Sequence, residues 1–154
     1  MTFSGTARPD LLAIAGRYAA DPDRWPVRPR FDPVDRWYAR IAERPDHEAW
    51  LLTWLPGQET ELHDHGGSAG AFVVLSGALV EETVAGGESR GAVLVAGAGR
   101  RFGTHHIHRI VNRGGDPAIS VHVYAPALRS MTRYHLDARG GLRVAEVARA
   151  GVAW

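Results

Sequence analysis

His63 and His65 bracket Asp64, and a second pair, His106 and His108, brackets Ile107 further along the 154-residue chain. In an extended strand, side chains two apart share a face, so each pair aims its imidazoles at one point while the residue between points away. Neutral imidazole is a good ligand for divalent metals. Three such ligands leave coordination positions open, which suits a metal that must bind substrate or oxygen and not one that only ties the fold together. His108 supplies the third ligand if the turn at Gly114-Gly115 folds its strand back beside another. His106 faces the same way as His108 and has three readings: a fourth ligand, a partner behind the ligands, or a satisfied core histidine. An isolated His-x-His is a weak signal, since surface strands carry such pairs by chance, and its surroundings decide its meaning.

Composition removes the competing chemistries. The chain has no cysteine, which excludes a disulfide framework, a zinc-thiolate site, an iron–sulfur cluster and a cysteine nucleophile. All 18 basic residues are arginine, so neither a Schiff-base lysine nor a P-loop lysine is present. The net charge of +1 and the spread of arginines from Arg8 to Arg149 give no basic stripe for nucleic acid. No apolar run approaches the roughly 20 residues of a spanning helix, and Met1 to Gly5 opens no signal peptide; a cytoplasmic location is expected.

The elements that would position the histidines follow from periodicity. Residues 9–20 carry Leu11, Leu12, Ile14, Ala15 and Tyr18 at helical spacing after Pro9 and Asp10, and residues 35–43 place Trp37, Tyr38 and Ile41 on a second, shorter helical stripe. From His47 onward the chain reads as short strands at 49–55, 70–75, 78–83, 92–95, 107–111 and 119–124, separated by glycine turns. This spacing predicts a mainly β antiparallel sandwich or barrel, one domain over 1–154 with a helical segment over 1–46 packed against it. The tail reads either as a strand over 142–147 or as a helix over 144–150.

The spacing around the histidines is more specific than the pairs themselves. Gly57, five residues, His63-x-His65, eleven residues and Gly77 form one block; Gly97, ten residues, His108, three residues and Asn112 form another. This pattern resembles the two motifs of the cupin family, whose fold is a small β-barrel or jelly roll. Two departures stand out. Ala69 and Gly70 occupy the place of the usual glutamate ligand, which leaves three histidines without a carboxylate, and Gly103 and His105 replace the usual proline and glycine.

A later strand narrows the reading. Ser120, His122 and Tyr124 alternate with Ile119, Val121 and Val123, so three polar groups share one face. A buried relay in which serine orients histidine, and histidine orients the tyrosine hydroxyl, is the natural reading. Together with Tyr38-Ala39-Arg40, His63-Asp64-His65 and His108 to Asn112, the stretch Ser120 to Pro126 makes the chain resemble the bacterial thiol dioxygenases of the cysteine dioxygenase type I family.

That resemblance implies a non-haem iron oxidoreductase of cysteine catabolism. Fe(II) would be held by His63, His65 and His108, with Ser120, His122 and Tyr124 serving catalysis and Arg40, Tyr38 and Tyr124 binding substrate. L-cysteine and dioxygen would give cysteine sulfinic acid. Related enzymes that prefer 3-mercaptopropionate typically carry glutamine where Arg40 stands, which favours cysteine. Gly70 occupies the position of the cysteine that eukaryotic members crosslink to the tyrosine matched by Tyr124, so no crosslink is expected. Ala125-Pro126 matches a cis Ser-Pro. The expected partners are a small-molecule thiol and dioxygen, with no nucleic acid, no membrane and a monomeric chain. A metal-binding sensor domain without enzymatic activity is the alternative from another class.

Overall fold

The computed structural model describes residues 9–149; residues 1–8 and 150–154, including Met1 to Gly5 and the last position of the alternative tail helix, lie outside them. The first helix forms as its pattern requires. Helix α1 spans Leu11–Ala19, and the Asp10 carboxylate caps it by accepting a hydrogen bond from the Ala13 N–H at 3.2 Å. Its Ile14 and Ala15 pack on Ala49, Ala71 and Val123, where small side chains let the helix lie close to the sheet.

Eleven strands build the rest: β1 Tyr38–Glu43, β2 Glu48–Trp54, β3 Leu62–His63, β4 Ala69–Ser76, β5 Ala78–Ala85, β6 Glu88–Val95, β7 Gly99–Phe102, β8 His108–Val111, β9 Ala118–Ala125, β10 Ser130–Leu136 and β11 Leu142–Arg149. They form two antiparallel sheets, ordered β1-β2-β9-β4-β7 and β11-β10-β3-β8-β5-β6. This is the mainly β cupin architecture expected, but as two open sheets and not a closed barrel. Trp54, Phe72 and Val74 from the first sheet meet Leu79, Ile110 and Met131 from the second to form the core between them.

Residues 35–43 depart from expectation. Residues 38–43 are strand β1, paired with β2 through Tyr38↔Leu52 and Arg40↔Trp50. Their apolar residues fit both a helical stripe and a strand, and pairing with the edge of β2 settles the choice. A register shift between Arg40 and Ala42 breaks the strand alternation and hid it from the sequence. A single α-helix, not two, therefore packs on the sheet among the described residues. The ambiguous tail is a strand, β11, which pairs along the whole of β10. No helix among the described residues is long and apolar enough to cross a membrane.

Candidate active site

The three histidines converge. His63 of β3 lies directly across from His108 of β8, with ring centroids 4.8 Å apart. His65 follows the end of β3, its ring 5.0 Å from that of His63 and 4.8 Å from that of His108. One ligand atom from each of the three lies within 4.8 Å of the others, and all three side chains are buried.

The residue between the first two holds them there. Asp64 points the opposite way: its backbone N–H donates to Thr132 O, and its carboxylate accepts from Thr132 N–H at 2.9 Å and from the Tyr134 hydroxyl at 2.8 Å. Gly66, at φ +58°, then turns the chain so tightly against Ser130 that an added Cβ would sit 2.4 Å from its carbonyl oxygen. Tyr134→Phe, which loosens this anchor without touching a ligand, is expected to lower unfolding stability by about 1 kcal/mol, read from urea denaturation. A loss under about a quarter of that would mean that the anchor holds nothing.

Hydrogen bonding sets the tautomers. His63 Nδ1–H donates to the Glu61 carbonyl at 2.7 Å, leaving the Nε2 lone pair for the site. His108 Nδ1–H donates in the same way to Glu81 Oε2 at 2.7 Å. Both ring nitrogens of His65 are buried with no hydrogen-bond partner. A buried polar atom left alone is costly, and a metal ion bound among the three rings would satisfy one of these nitrogens. Burial, reinforced for His63 and His65 by the other imidazoles, holds all three below the usual imidazole pKa, so they are neutral as ligands must be. The donor set therefore fits a divalent metal.

Behind the ligands lies a carboxylate that the sequence pattern left unmarked. Glu81 of β5 is buried, accepts from His106 Nε2 at 3.1 Å as well as from His108, and has Arg100 Nε 3.0 Å from its other oxygen. Burial alone would raise its pKa, but the hydrogen bonds from His106 and His108 outweigh it and bring the value to about 2. His106 thus stands with Glu81 behind His108, stacked on Phe102 at 4.8 Å.

The polar face of β9 is present as read, with one addition and one break. Trp54 Nε1–H donates to Ser120 Oγ at 2.9 Å, and Ser120 Oγ is 2.8 Å from His122 Nε2. The indole can only donate, so the serine hydroxyl turns its proton toward His122 Nε2 and leaves the ring proton on Nδ1. Phe72 stacks on the His122 ring at 5.0 Å, and burial lowers the His122 pKa to about 3. The hydrogen-bonded chain ends there: no bond joins His122 to Tyr124 among the described residues, and their rings are 6.4 Å apart. Tyr124 is instead stacked on His65 at 5.5 Å, its phenol kept protonated by burial and then by Glu48.

Gly70 lies directly across from Tyr124 in the β4–β9 pair. A Cβ there would come within 2.5 Å of the Phe102 ring and 2.8 Å of Val123 O, so Phe102 fills the place that a crosslinking side chain would need. Asn112 is structural. Its amide donates to Trp54 O and Asp116 O and its oxygen accepts from Gly114 N–H, which closes the turn after β8. Ala125-Pro126 is cis.

A cavity of about 320 Å³ opens onto these groups, with His63, His108, His122, Tyr124, Tyr38 and Arg36 in its wall. Arg40 is not in that wall. Its half-exposed guanidinium lies 3.3 Å from Glu43, 3.8 Å from the buried Glu48 and 6.0 Å from the centre of the Trp50 ring. Of the residues singled out from the sequence, the structure gathers His63, His65, His108, Ser120, His122, Tyr124 and Tyr38, and leaves Arg40 outside.

Comparison with known proteins places this geometry. The chain is similar to cysteine dioxygenase type 1 of Homo sapiens and of Pongo abelii, 24% identical over 131 residues in each case; the match takes in 76% of this chain and 64% of the length of those curated relatives. A solved structure from Thermus thermophilus shares the fold, with a TM-score of 0.58 and 24% identity over 64% of this chain and 90% of that one. A protein with a double-stranded β-helix domain from Klebsiella pneumoniae does so with a TM-score of 0.57 and 24% identity over 76% and 90% of the two chains. The model of the family Cysteine dioxygenase type I matches residues 9–137, most of the described chain and all of the histidine site, and the protein belongs to that family.

Proposed function

We propose that this protein is an iron(II)-dependent thiol dioxygenase that oxidises L-cysteine to cysteine sulfinic acid. The observation that carries the reading is the buried His63, His65 and His108 cluster, free of carboxylate ligands, with two of its rings in the wall of a cavity large enough for a small molecule. The three histidines would hold the iron, which would supply a redox-active centre able to take the thiol as thiolate and bring dioxygen beside it. The thiol and one dioxygen give the sulfinate and one proton; sulfur loses four electrons and dioxygen gains them.

The chain's own residues have distinct tasks in this reading. Glu81 fixes the tautomer and direction of His108, and Trp54 and Ser120 do the same for His122. Tyr124, protonated and packed against His65, offers its phenolic O–H to the substrate or to oxygen. Trp54 and Ile110 give the cavity an apolar wall, and Phe72 packs against the rings of His108 and His122.

Oxygen consumption by anaerobically iron-loaded protein, compared across L-cysteine, 3-mercaptopropionate and cysteamine, tests the proposal and ranks the thiols. One dioxygen consumed per sulfinate formed, fastest with cysteine, is the expected result. A faster rate with 3-mercaptopropionate moves the assignment to that thiol. No uptake with any of the three rejects the dioxygenase and leaves a metal-binding sensor.

A further inference from the structure

We infer that Arg100 is a positioning residue that raises the reduction potential of the iron by restraining Glu81, the carboxylate behind His108. The inference rests on the iron site of the reading above and not on its choice of thiol. Glu81 divides its two oxygens between different partners. Oε2 accepts from His108 Nδ1 at 2.7 Å and from His106 Nε2 at 3.1 Å, while Oε1 faces Arg100 Nε at 3.0 Å. This third contact crosses from β5 to β7, strands of different sheets. It is a charge contact and not an aligned hydrogen bond: Arg100 Nε and Glu81 Oε1 are both buried, and neither has a hydrogen-bond partner among the described residues. The Arg100 side chain as a whole is half-exposed, whereas that of Glu81 is fully buried.

The three ligands differ in what stands behind them. His63 Nδ1–H donates to the neutral Glu61 carbonyl, and the ring nitrogens of His65 have no partner among the described residues, so His108 alone of the three is backed by a charged acceptor. A carboxylate that draws on the Nδ1 proton leaves more electron density on the ring, and a ring that donates more strongly favours ferric over ferrous iron. Arg100 opposes that pull. Its positive charge sits against the same carboxylate, where little water screens it, and weakens the carboxylate's hold on the proton. The same charge also lies nearer the metal than it would from solvent, which disfavours the more highly charged ferric ion. Both effects favour the ferrous form, from which the proposed reaction starts. Neither Arg100 nor Glu81 lies in the wall of the cavity, so the pair acts through His108 and does not touch the thiol.

The midpoint potential of the iron-loaded protein, measured by spectroelectrochemical titration at fixed pH and without thiol, tests this. Arg100→Met, which keeps the reach of the side chain but not its charge, is expected to shift the ratio of ferric to ferrous affinity about tenfold toward ferric, a fall of about 59 mV for one electron. Arg100→Lys, which keeps the charge in a contact that does not use the planar fork, is expected to show less than about a third of that fall. Glu81→Gln, which removes the negative charge, is expected to move the potential upward. Arg100→Met made in the Glu81→Gln background should lose roughly half or more of its effect, because the carboxylate it restrains is gone. Equal falls in the two Arg100 variants overturn the inference, as does a fall undiminished in the Glu81→Gln background. Lower stability in urea with an unchanged potential also overturns it and leaves Arg100 as a tie between β5 and β7. Protein that holds iron but oxidises no thiol removes the dioxygenase reading and leaves this inference to stand or fall on the potential; a parent protein that retains no iron removes both.

Discussion

His65→Ala protein, loaded with ferrous iron and desalted under anaerobic conditions, should retain no iron, while the parent protein keeps close to one ion per chain. His65 is the ligand with most to lose, since neither of its buried ring nitrogens has a partner in the protein. Those nitrogens forgo hydration on folding, at a cost of about 1–3 kcal/mol each, and the metal is what would offset one of them. The metal-free fold should therefore depend little on this imidazole. His65→Phe keeps a ring to stack between Phe102 and Tyr124, and its metal-free form should unfold within about 1 kcal/mol of the metal-free parent. Adding iron at a hundredfold excess over its dissociation constant should stabilise the parent by about 2.7 kcal/mol and the variant not at all. Iron retained at the parental level by either variant would remove His65 from the ligand set. Elemental analysis and urea denaturation, with and without iron, read both halves.

Glu81→Ala is the second large effect, and it acts without touching the cavity. Glu81 gathers the Nδ1–H of His108, a nitrogen of His106 and the charge of Arg100 at one buried carboxylate. Removing it leaves the His108 N–H without an acceptor in a side chain that is 1% exposed, which costs about 1–3 kcal/mol of stability. It also lets the imidazole rotate or exchange its proton between nitrogens, and the affinity for iron should fall by roughly tenfold to a hundredfold. Glu81→Gln, which keeps one acceptor and the shape, should lose less. The distinguishing measurement is iron affinity by competition with a chelator. If Glu81→Ala loses stability but binds iron as the parent does, Glu81 is a packing residue and does not position His108.

What the sequence made legible were features that repeat at strand period and end at glycine turns. His63-x-His65 and Ser120-x-His122-x-Tyr124 each lie along one extended stretch, so alternation alone put their side chains on a common side. The same logic extends to Glu81: it alternates with Leu79, and both are buried while Val80 and Glu82 between and beyond them are not. A lone carboxylate on the inward face of an amphipathic strand is a signal that the sequence itself carries. Arg36 and Trp54 had no such signal. Ser120, which accepts from the Trp54 indole, lies 66 residues away and arrives only through the pairing of β2 with β9. Arg36 meets the Trp54 ring because β1 lies along β2, a pairing that no local pattern announces. Strand β1 failed for the same reason, since its local pattern fits two periods and its neighbour decides.

The ring ladder at the centre of the site has a consequence for how the protein reaches its working form. His106, Phe102, His65 and Tyr124 lie in sequence, the first three nearly parallel, with Phe102 4.5 Å from His65 and seated over Gly70. Orientation of Tyr124 comes from contacts present as soon as the chain has folded, and the chain has no cysteine with which to add a covalent one. Freshly made protein and protein exposed to iron, thiol and dioxygen should therefore run as one band under denaturing conditions, with no thioether-linked form of Tyr124 to separate from an unlinked one.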